Sequence, residues 1–344
     1  MVSSPAKSPN LDRLFSQRAL QVDPQPLVGG MDDVEGKLSF TFGFPDPASL
    51  PASQIAEATT RVLAERGRAA LQYGDNNGYS GLIRVLLEKL RRDQGIVAGP
   101  ENILITAGGS QAIALLLDAF VDWGDTICSE MPTWLGAVQA FANVGANVVS
   151  IPVDADGTDV IALKAELERL RAEGITPKFV YAISNFQNPT GVTMTLERRR
   201  ELLALVQEAG TMLIEDDAYF DLRYAGENLP AIYSLDDTGS VIYMGTFSKT
   251  MGPGMRLGWI VAPEAVIQRV AALKVDGGTN VFGAHVAADW LPEGLLPHVD
   301  RLRDVYHRRR DIMLAALETH MPDGVTWTVP DGGFFIWVNL PEGV

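Results

Sequence analysis

Between residues 102 and 216 the chain alternates two rhythms. Short runs rich in β-branched and aromatic residues, ILIT (103–106), TICSE (126–130), NVVSIPV (147–153), FVYAIS (179–184) and TMLIED (211–216), are bounded by turn formers, the pattern of buried strands. Between them, apolar residues recur at helical spacing over 108–121, 134–144, 161–173 and 196–209. Strands alternating with helices of this length predict an α/β fold: a mainly parallel, seven-stranded sheet with helices on both faces. Ligands of such sheets sit at the carboxyl ends of the strands. Upstream, helices are predicted over 53–68 and 82–94, preceded by a short helical pattern at 11–22 and a Pro- and Gly-rich passage ending in FTFGFPDPASLP. Downstream, 241–244 and 257–261 read as strands, and a helical pattern runs from 263 to 290. One long helix is predicted over 296–321, with VTWTV and GGFFIWVNL as strands after it. The expected organisation is an arm over 1–50, a large domain over 51–295 and a smaller α+β domain over 296–344.

Composition supports two domains and narrows the partners. At 344 residues the chain exceeds the size, about 250 to 300, at which a single core stops growing. A hydrophobic fraction of 47% with 21% charged residues is that of a globular protein. The formal charge of −15 is spread without a basic run, which argues against nucleic acid or an anionic membrane as partner. Cys128 is the only cysteine, so no internal disulfide forms and a reducing, cytoplasmic compartment is expected. The first ten residues are polar and no later apolar run spans a bilayer, so neither a signal peptide nor a membrane anchor is expected. The four histidines share no ligand spacing with Cys128, and no metal site is expected.

The stretch 241–261, VIYMGTFSKTMGPGMRLGWIV, carries the most chemistry. Two strand-like runs flank a Gly-rich turn that holds Thr246, Ser248, Lys249 and Arg256. Two hydroxyls and a guanidinium suit a phosphate monoester, because arginine offers a planar fork of donors that stays charged. A lysine beside a fixed cation is pushed toward its neutral amine, the form that condenses with an aldehyde to a Schiff base. Where TAGGSQAI joins strand to helix, the helix N-terminus offers free N–H groups to an anion, and Gly109 and Ser110 are expected to share in holding that phosphate, although a simple serine cap reads the same way.

TFSKTMGPGMR, with arginine seven positions after the lysine, resembles the cofactor-lysine motif of the class I/II aminotransferases, pyridoxal 5′-phosphate (PLP) enzymes of fold type I. Thr246 stands where that motif often has serine. The resemblance runs from Phe42 to Leu340, with the motifs in family order. It implies that Lys249 holds PLP and shuttles the Cα proton. In IEDDAYF it implies that Asp216 pairs with the pyridine nitrogen and that Tyr219 faces the phenolic oxygen, with Asp217 as the competing acid. NPTG puts Asn188 at the same oxygen and suggests a cis Pro189. PTW puts Trp134 on the ring face, a core tryptophan being the plainer reading, and GGSQ stands where relatives have GSQQ. QYGDNNGY implies that Tyr73 reaches the phosphate of a neighbouring subunit, hence a homodimer, and FGFP places Gly43 and Phe44 over the substrate.

The implied function is transfer of an amino group from an L-amino acid to a 2-oxo acid, and the resemblance is to the kynurenine/2-aminoadipate branch. The arginine that grips the substrate carboxylate is expected beyond residue 344. A β-eliminating lyase on the same scaffold shares the first steps. The sensor half of a transcription regulator is a further reading, but it calls for a basic winged-helix segment upstream.

Overall fold

A computed structural model of the chain describes residues 11–21, 40, 43–341 and 343. The arm contains a 3₁₀ turn, Leu11–Arg13, and α1 (Gln17–Gln21) in place of one helix over 11–22, whose last residue lies outside the described residues. Helices α2 (Ala52–Ala70) and α3 (Ser80–Asp93) follow. The alternating region is then β1 (Ile103–Thr106), α4 (Gly109–Phe120), β2 (Thr126–Met131), α5 (Leu135–Asn143) and β3 (Asn147–Asp154). It continues with β4 (Gly157–Thr158), α6 (Val160–Ala172), β5 (Phe179–Ile183), α7 (Leu196–Ala209) and β6 (Met212–Asp216). Beyond these lie β7 (Val241–Thr246), β8 (Gly258–Val261), α8 (Glu264–Leu273), α9 (Val281–His320), β9 (Thr326–Trp327) and β10 (Val338–Asn339).

The large sheet has the order β1-β8-β7-β6-β5-β2-β3-β4. Pairing is parallel from β7 through β3, and antiparallel where β8 meets β7 and β1. It has eight strands instead of seven, because the chain doubles back after β3 and Gly157 and Thr158 pair antiparallel with its end. A two-residue strand is too short to leave a periodic signature in the sequence.

Side chains alternate across the sheet, and each face packs its own helices. Leu104, Tyr181, Ile183, Ile214, Ile242, Met244 and Ile260 face α4, α5 and α8. On the opposite face, Val180, Ala182 and Leu213 meet α6 and α7, while Ile103, Ile105, Tyr243 and Trp259 meet α2, α3 and α9. The predicted break between residues 290 and 296 does not occur. Pro292 and Pro297 lie inside one 40-residue helix, and buried Trp290, Leu291, Leu295, His298 and Val299 carry its apolar stripe past both. The expected boundary between large and small domains at 295/296 therefore falls within a continuous helix. The two C-terminal strands are also shorter than predicted, with two residue pairs in register. Backbone bonds from Tyr224 and Ala225 to the Asp331 carbonyl, and from Gly333 to the Leu222 carbonyl, bring 331–333 against residues 222–225, which follow β6.

Candidate active site

Two rows across the sheet fix the site. Thr106, Gly258 and Thr246 lie side by side on β1, β8 and β7. Ile183, Asp216 and Met244 do the same on β5, β6 and β7. The loops after β1, β5, β6 and β7 all leave from this edge, and they carry the candidate residues.

The first row builds an anion cradle. Gly108 caps α4 with a φ of 76°, a conformation that costs glycine least, and a Cβ there would sit 3.2 Å from the Arg256 guanidinium. The β8 residue alongside must also lack a side chain, since a Cβ on Gly258 would come within 2.7 Å of the Gly108 backbone. Arg256 donates from Nη2 to the Ala107 carbonyl at 2.7 Å, which ties the guanidinium to the start of α4. Gly109 is the first residue of that 12-residue helix and Ser110, exposed, the second. Their free N–H groups and the positive end of the helix favour an anion by about 0.3–1 kcal/mol for each charge placed there. Thr246 Oγ1 and Ser248 Oγ lie 2.9 Å apart, and Thr246 Oγ1 also accepts from the Ser248 N–H at 3.1 Å.

Lys249 stands beside the second row. Its Nζ donates to the Gly43 carbonyl at 3.0 Å and lies 5.4 Å from the Tyr219 ring centre and 5.8 Å from that of Phe334. Burial pushes the amine down to about 8, against the opposing pull of the Asp216 charge. Asp216 is 6% exposed and accepts from the Tyr181 hydroxyl at 2.6 Å. Burial raises its carboxyl to about 6, held from going further by Tyr181, Lys249 and the Ala218 N–H. Tyr219 is buried, receives a hydrogen bond from the Asn188 side chain and is pushed upward chiefly by burial. The Asn188–Pro189 bond is cis. Trp134 is half-buried where α5 begins and packs on the same core cluster as Tyr181.

The competing acid is separated by the pleat. Asp217 accepts from Asn185 Nδ2 at 2.8 Å and from the Tyr243 hydroxyl at 3.1 Å. Asn185 in turn accepts from buried Arg199 at 2.8 Å. Glu215, one residue the other way, accepts from the Ile232 and Tyr233 N–H groups. Of Asp216 and Asp217, only Asp216 feels the Lys249 charge.

Tyr73 stands apart from these groups within its own chain, 84% exposed beside Gly277. Gly43 is brought in through its carbonyl, and Phe44 is exposed; Phe42 lies outside the described residues. Three site residues were missed by sequence reasoning. Tyr181 sits in mid-strand and is 35 positions from the carboxylate it serves. Phe334 and Phe335 come from the C-terminal segment, with ring centres 5.6 and 5.9 Å from Tyr219. The GGFF turn before an apolar strand was the one signal available. Among the described residues no group of three or more acidic, His or Cys side chains could hold a metal, and no helix is long and apolar enough to cross a membrane.

These residues fit PLP: an anion cradle that a Cβ would fill, an amine biased toward neutrality and a buried carboxylate meet on one sheet edge. The shifted lysine makes a stability prediction for cofactor-free protein. Between about 8 and the ordinary 10.5 the unfolded chain holds the Lys249 proton and the folded chain does not. The unfolded state binds more protons there, so stability rises with pH across that window. Wild type therefore gains on Lys249→Met as pH is raised from about 8 to 10.5, which urea unfolding of both proteins measures; a constant difference contradicts the assignment.

Over residues 37–343 the chain matches the family described as aminotransferase class I and II. It is 40% identical to aromatic-amino-acid aminotransferase 1 of Thermococcus litoralis, over 98% of this chain and 83% of that protein. The crystal structure of Pyrococcus horikoshii kynurenine aminotransferase, in complex with PMP and with kynurenine named as substrate, superposes with a TM-score of 0.93 at 38% identity, covering 97% of this chain and 84% of that one. The α-aminoadipate aminotransferase of Thermus thermophilus, complexed with N-(5′-phosphopyridoxyl)-L-leucine, gives a TM-score of 0.87 at 35% identity, with 96% and 83% covered. With the family matched over most of its length, this chain belongs to the class I and II aminotransferases, PLP-dependent enzymes of fold type I.

Proposed function

We propose that Lys249 is the residue that holds PLP and moves the substrate proton, in transamination between an amino acid with an aromatic or long side chain and a 2-oxo acid. The observation that carries this reading is the Lys249 amine, biased toward neutrality by burial, bonded to the Gly43 carbonyl and under the influence of the Asp216 charge. PLP, when bound, supplies an aldehyde to be condensed with an amine and a ring that takes up the electron pair left by the departing Cα proton. With PLP bound, Lys249 would take that proton from the substrate's Cα and deliver it to the cofactor's C4′, a role for which a pKa near the working pH is suited. Asp216 holds a proton on the pyridine nitrogen, and Tyr181 keeps the carboxylate oriented. Tyr219 and Asn188 address the phenolic oxygen together, Trp134 covers one ring face, and Gly109, Ser110, Thr246, Ser248 and Arg256 take the phosphate. Removing the Tyr181 hydroxyl in Tyr181→Phe should cut kcat by about tenfold, the worth of one hydrogen bond to a charged group; unchanged kcat would show that Asp216 needs no such support.

The substrate class rests on the rings around Nζ. Tyr219, Phe334 and Phe335 form an apolar wall with edge-to-face contacts, and an aromatic side chain against it gains about 0.5–1.5 kcal/mol beyond its buried area. The names of the relatives, which specify aromatic amino acids, kynurenine and α-aminoadipate, point the same way. A panel of amino donors assayed with 2-oxoglutarate tests it. Aromatic donors should exceed alanine in kcat/KM by about tenfold or more, and a preference for alanine would overturn the assignment.

The working unit in this reading is a cytoplasmic homodimer. Tyr73, at 84% exposure, supplies its hydroxyl to the phosphate of the partner subunit. Mixing Tyr73→Phe chains with Lys249→Ala chains checks this. If tyrosine acts across the interface, the one lysine-bearing site of each mixed dimer has an intact Tyr73 from its partner and works at wild-type rate. If it acts within its own chain, that site remains as impaired as in Tyr73→Phe alone.

A further inference from the structure

Near the end of β2 lies Glu130, a carboxylate only 1% exposed that none of the steps above requires. Its Oε1 accepts from the Thr158 hydroxyl at 2.7 Å. Its Oε2 accepts from the Ile183 N–H at 3.0 Å and from Gln187 Nε2 at 3.3 Å. Gln187 Nε2 also donates to the Pro132 carbonyl at 2.7 Å, and its Oε1 accepts from the Thr190 N–H at 2.9 Å and the Thr190 hydroxyl at 2.8 Å. One buried acid and one buried amide thus join four segments: the β4 hairpin, the end of β5, the turn that holds Asn188 and the turn that holds Trp134.

A carboxylate is a costly way to fill space. Desolvation opposes its charge, and an apolar residue would pack there without needing donors. Burial raises the Glu130 carboxyl to about 7, and its three donors act in the opposite direction. What an apolar residue could not do is fix Gln187. Without an acceptor at Glu130 the Gln187 amide keeps its bond to Pro132 but loses the anchor to the sheet edge, and the turns on either side are then free to shift together.

We propose that Glu130 is a positioning residue for the cofactor ring: through Gln187 it holds Asn188 and Trp134 in one fixed relation, so that the phenolic oxygen and the ring face are addressed together. This rests on the roles given to Asn188 and Trp134 under the proposed function.

Glu130→Ala, Glu130→Gln and Asn188→Ala are compared as holoenzymes, by kcat, KM, melting temperature and the pH midpoint of the cofactor's visible absorbance. Glutamine at 130 can accept from Ile183 and Gln187 with its carbonyl oxygen while its NH₂ donates to the rotatable Thr158 hydroxyl, so it preserves the link. Glu130→Ala should lower kcat about tenfold, as a small misplacement of reacting groups does, and move the absorbance midpoint in the same direction as Asn188→Ala. Glu130→Gln should stay within about threefold of wild type with the midpoint unmoved. A Glu130→Ala enzyme that melts earlier but keeps the wild-type midpoint would reduce Glu130 to a structural residue and overturn the proposal. If Asn188→Ala itself leaves the midpoint in place, the role given to Asn188 fails first and takes this inference with it. Should Glu130→Ala not fold, Gln187→Leu cuts the same link while leaving Thr158 and Ile183 on the carboxylate, and the same readouts decide.

Discussion

Replacing Lys249 with alanine should lower transamination by about 10⁴-fold or more, the upper end of what a positioned acid-base group contributes, because in the proposed function the same amine is also the cofactor's anchor. The loss is chemical and not structural. The site loses one hydrogen bond to the Gly43 carbonyl and an amine whose charge is already disfavoured by burial. The folded protein should therefore persist, with its melting temperature little changed in the cofactor-free form. Lys249→Arg sharpens the result. Arginine restores length and positive charge but cannot become neutral, so it should be as inactive as alanine. An arginine variant with substantial turnover would mean that charge, not a free electron pair, is what position 249 supplies.

Asp216→Asn should cut kcat by about 10- to 1,000-fold, since an opposite charge nearby raises the ring nitrogen's pKa by about 1–3 units and each unit is a factor of ten. Asparagine keeps the shape and can still accept from the Tyr181 hydroxyl, so stability is little affected. Asp217→Asn is the control that gives this prediction its force. Asp217 is as buried as its neighbour but is bonded to Asn185 and Tyr243, away from Lys249. Its substitution removes the charge that faces buried Arg199, should cost about 1–3 kcal/mol of stability and should change kcat by less than about threefold. If the two variants exchange these phenotypes in kinetics and urea unfolding, the assignment of the pyridine partner moves to Asp217.

The elements that position the site were legible because their signals are local. β1, β5, β6 and α7 are bounded by turn formers and have a single period, and the lysine turn lies between two apolar runs. Asp216 could be preferred over Asp217 by the spacing to Tyr219, and in the structure the pleat gives the two acids different partners, Tyr181 for Asp216 and Asn185 and Tyr243 for Asp217. What sequence could not supply was partnership across the fold. The hydroxyl that supports Asp216 comes from the neighbouring strand, two positions off in register, and nothing around Tyr181 marks it as different from a core tyrosine. The Phe334 and Phe335 wall depends on how the C-terminal segment docks on residues 222–225. Sequence splits α9 because prolines at 292 and 297 each remove a backbone donor and crowd the preceding turn. The buried stripe that carries the helix through becomes apparent only against α2 and α3.

The continuity of α9 has a mechanical consequence. His298 Nε2 lies 2.9 Å from the Thr250 carbonyl, next to Lys249, and about one and two turns further on Leu302 and Tyr306 join the aromatic cluster that includes Phe334 and Phe335. A rod pinned at both places cannot tilt at one end alone. Tilting the C-terminal segment therefore has either to break one of these two contacts or to carry the backbone beside residue 249 with it.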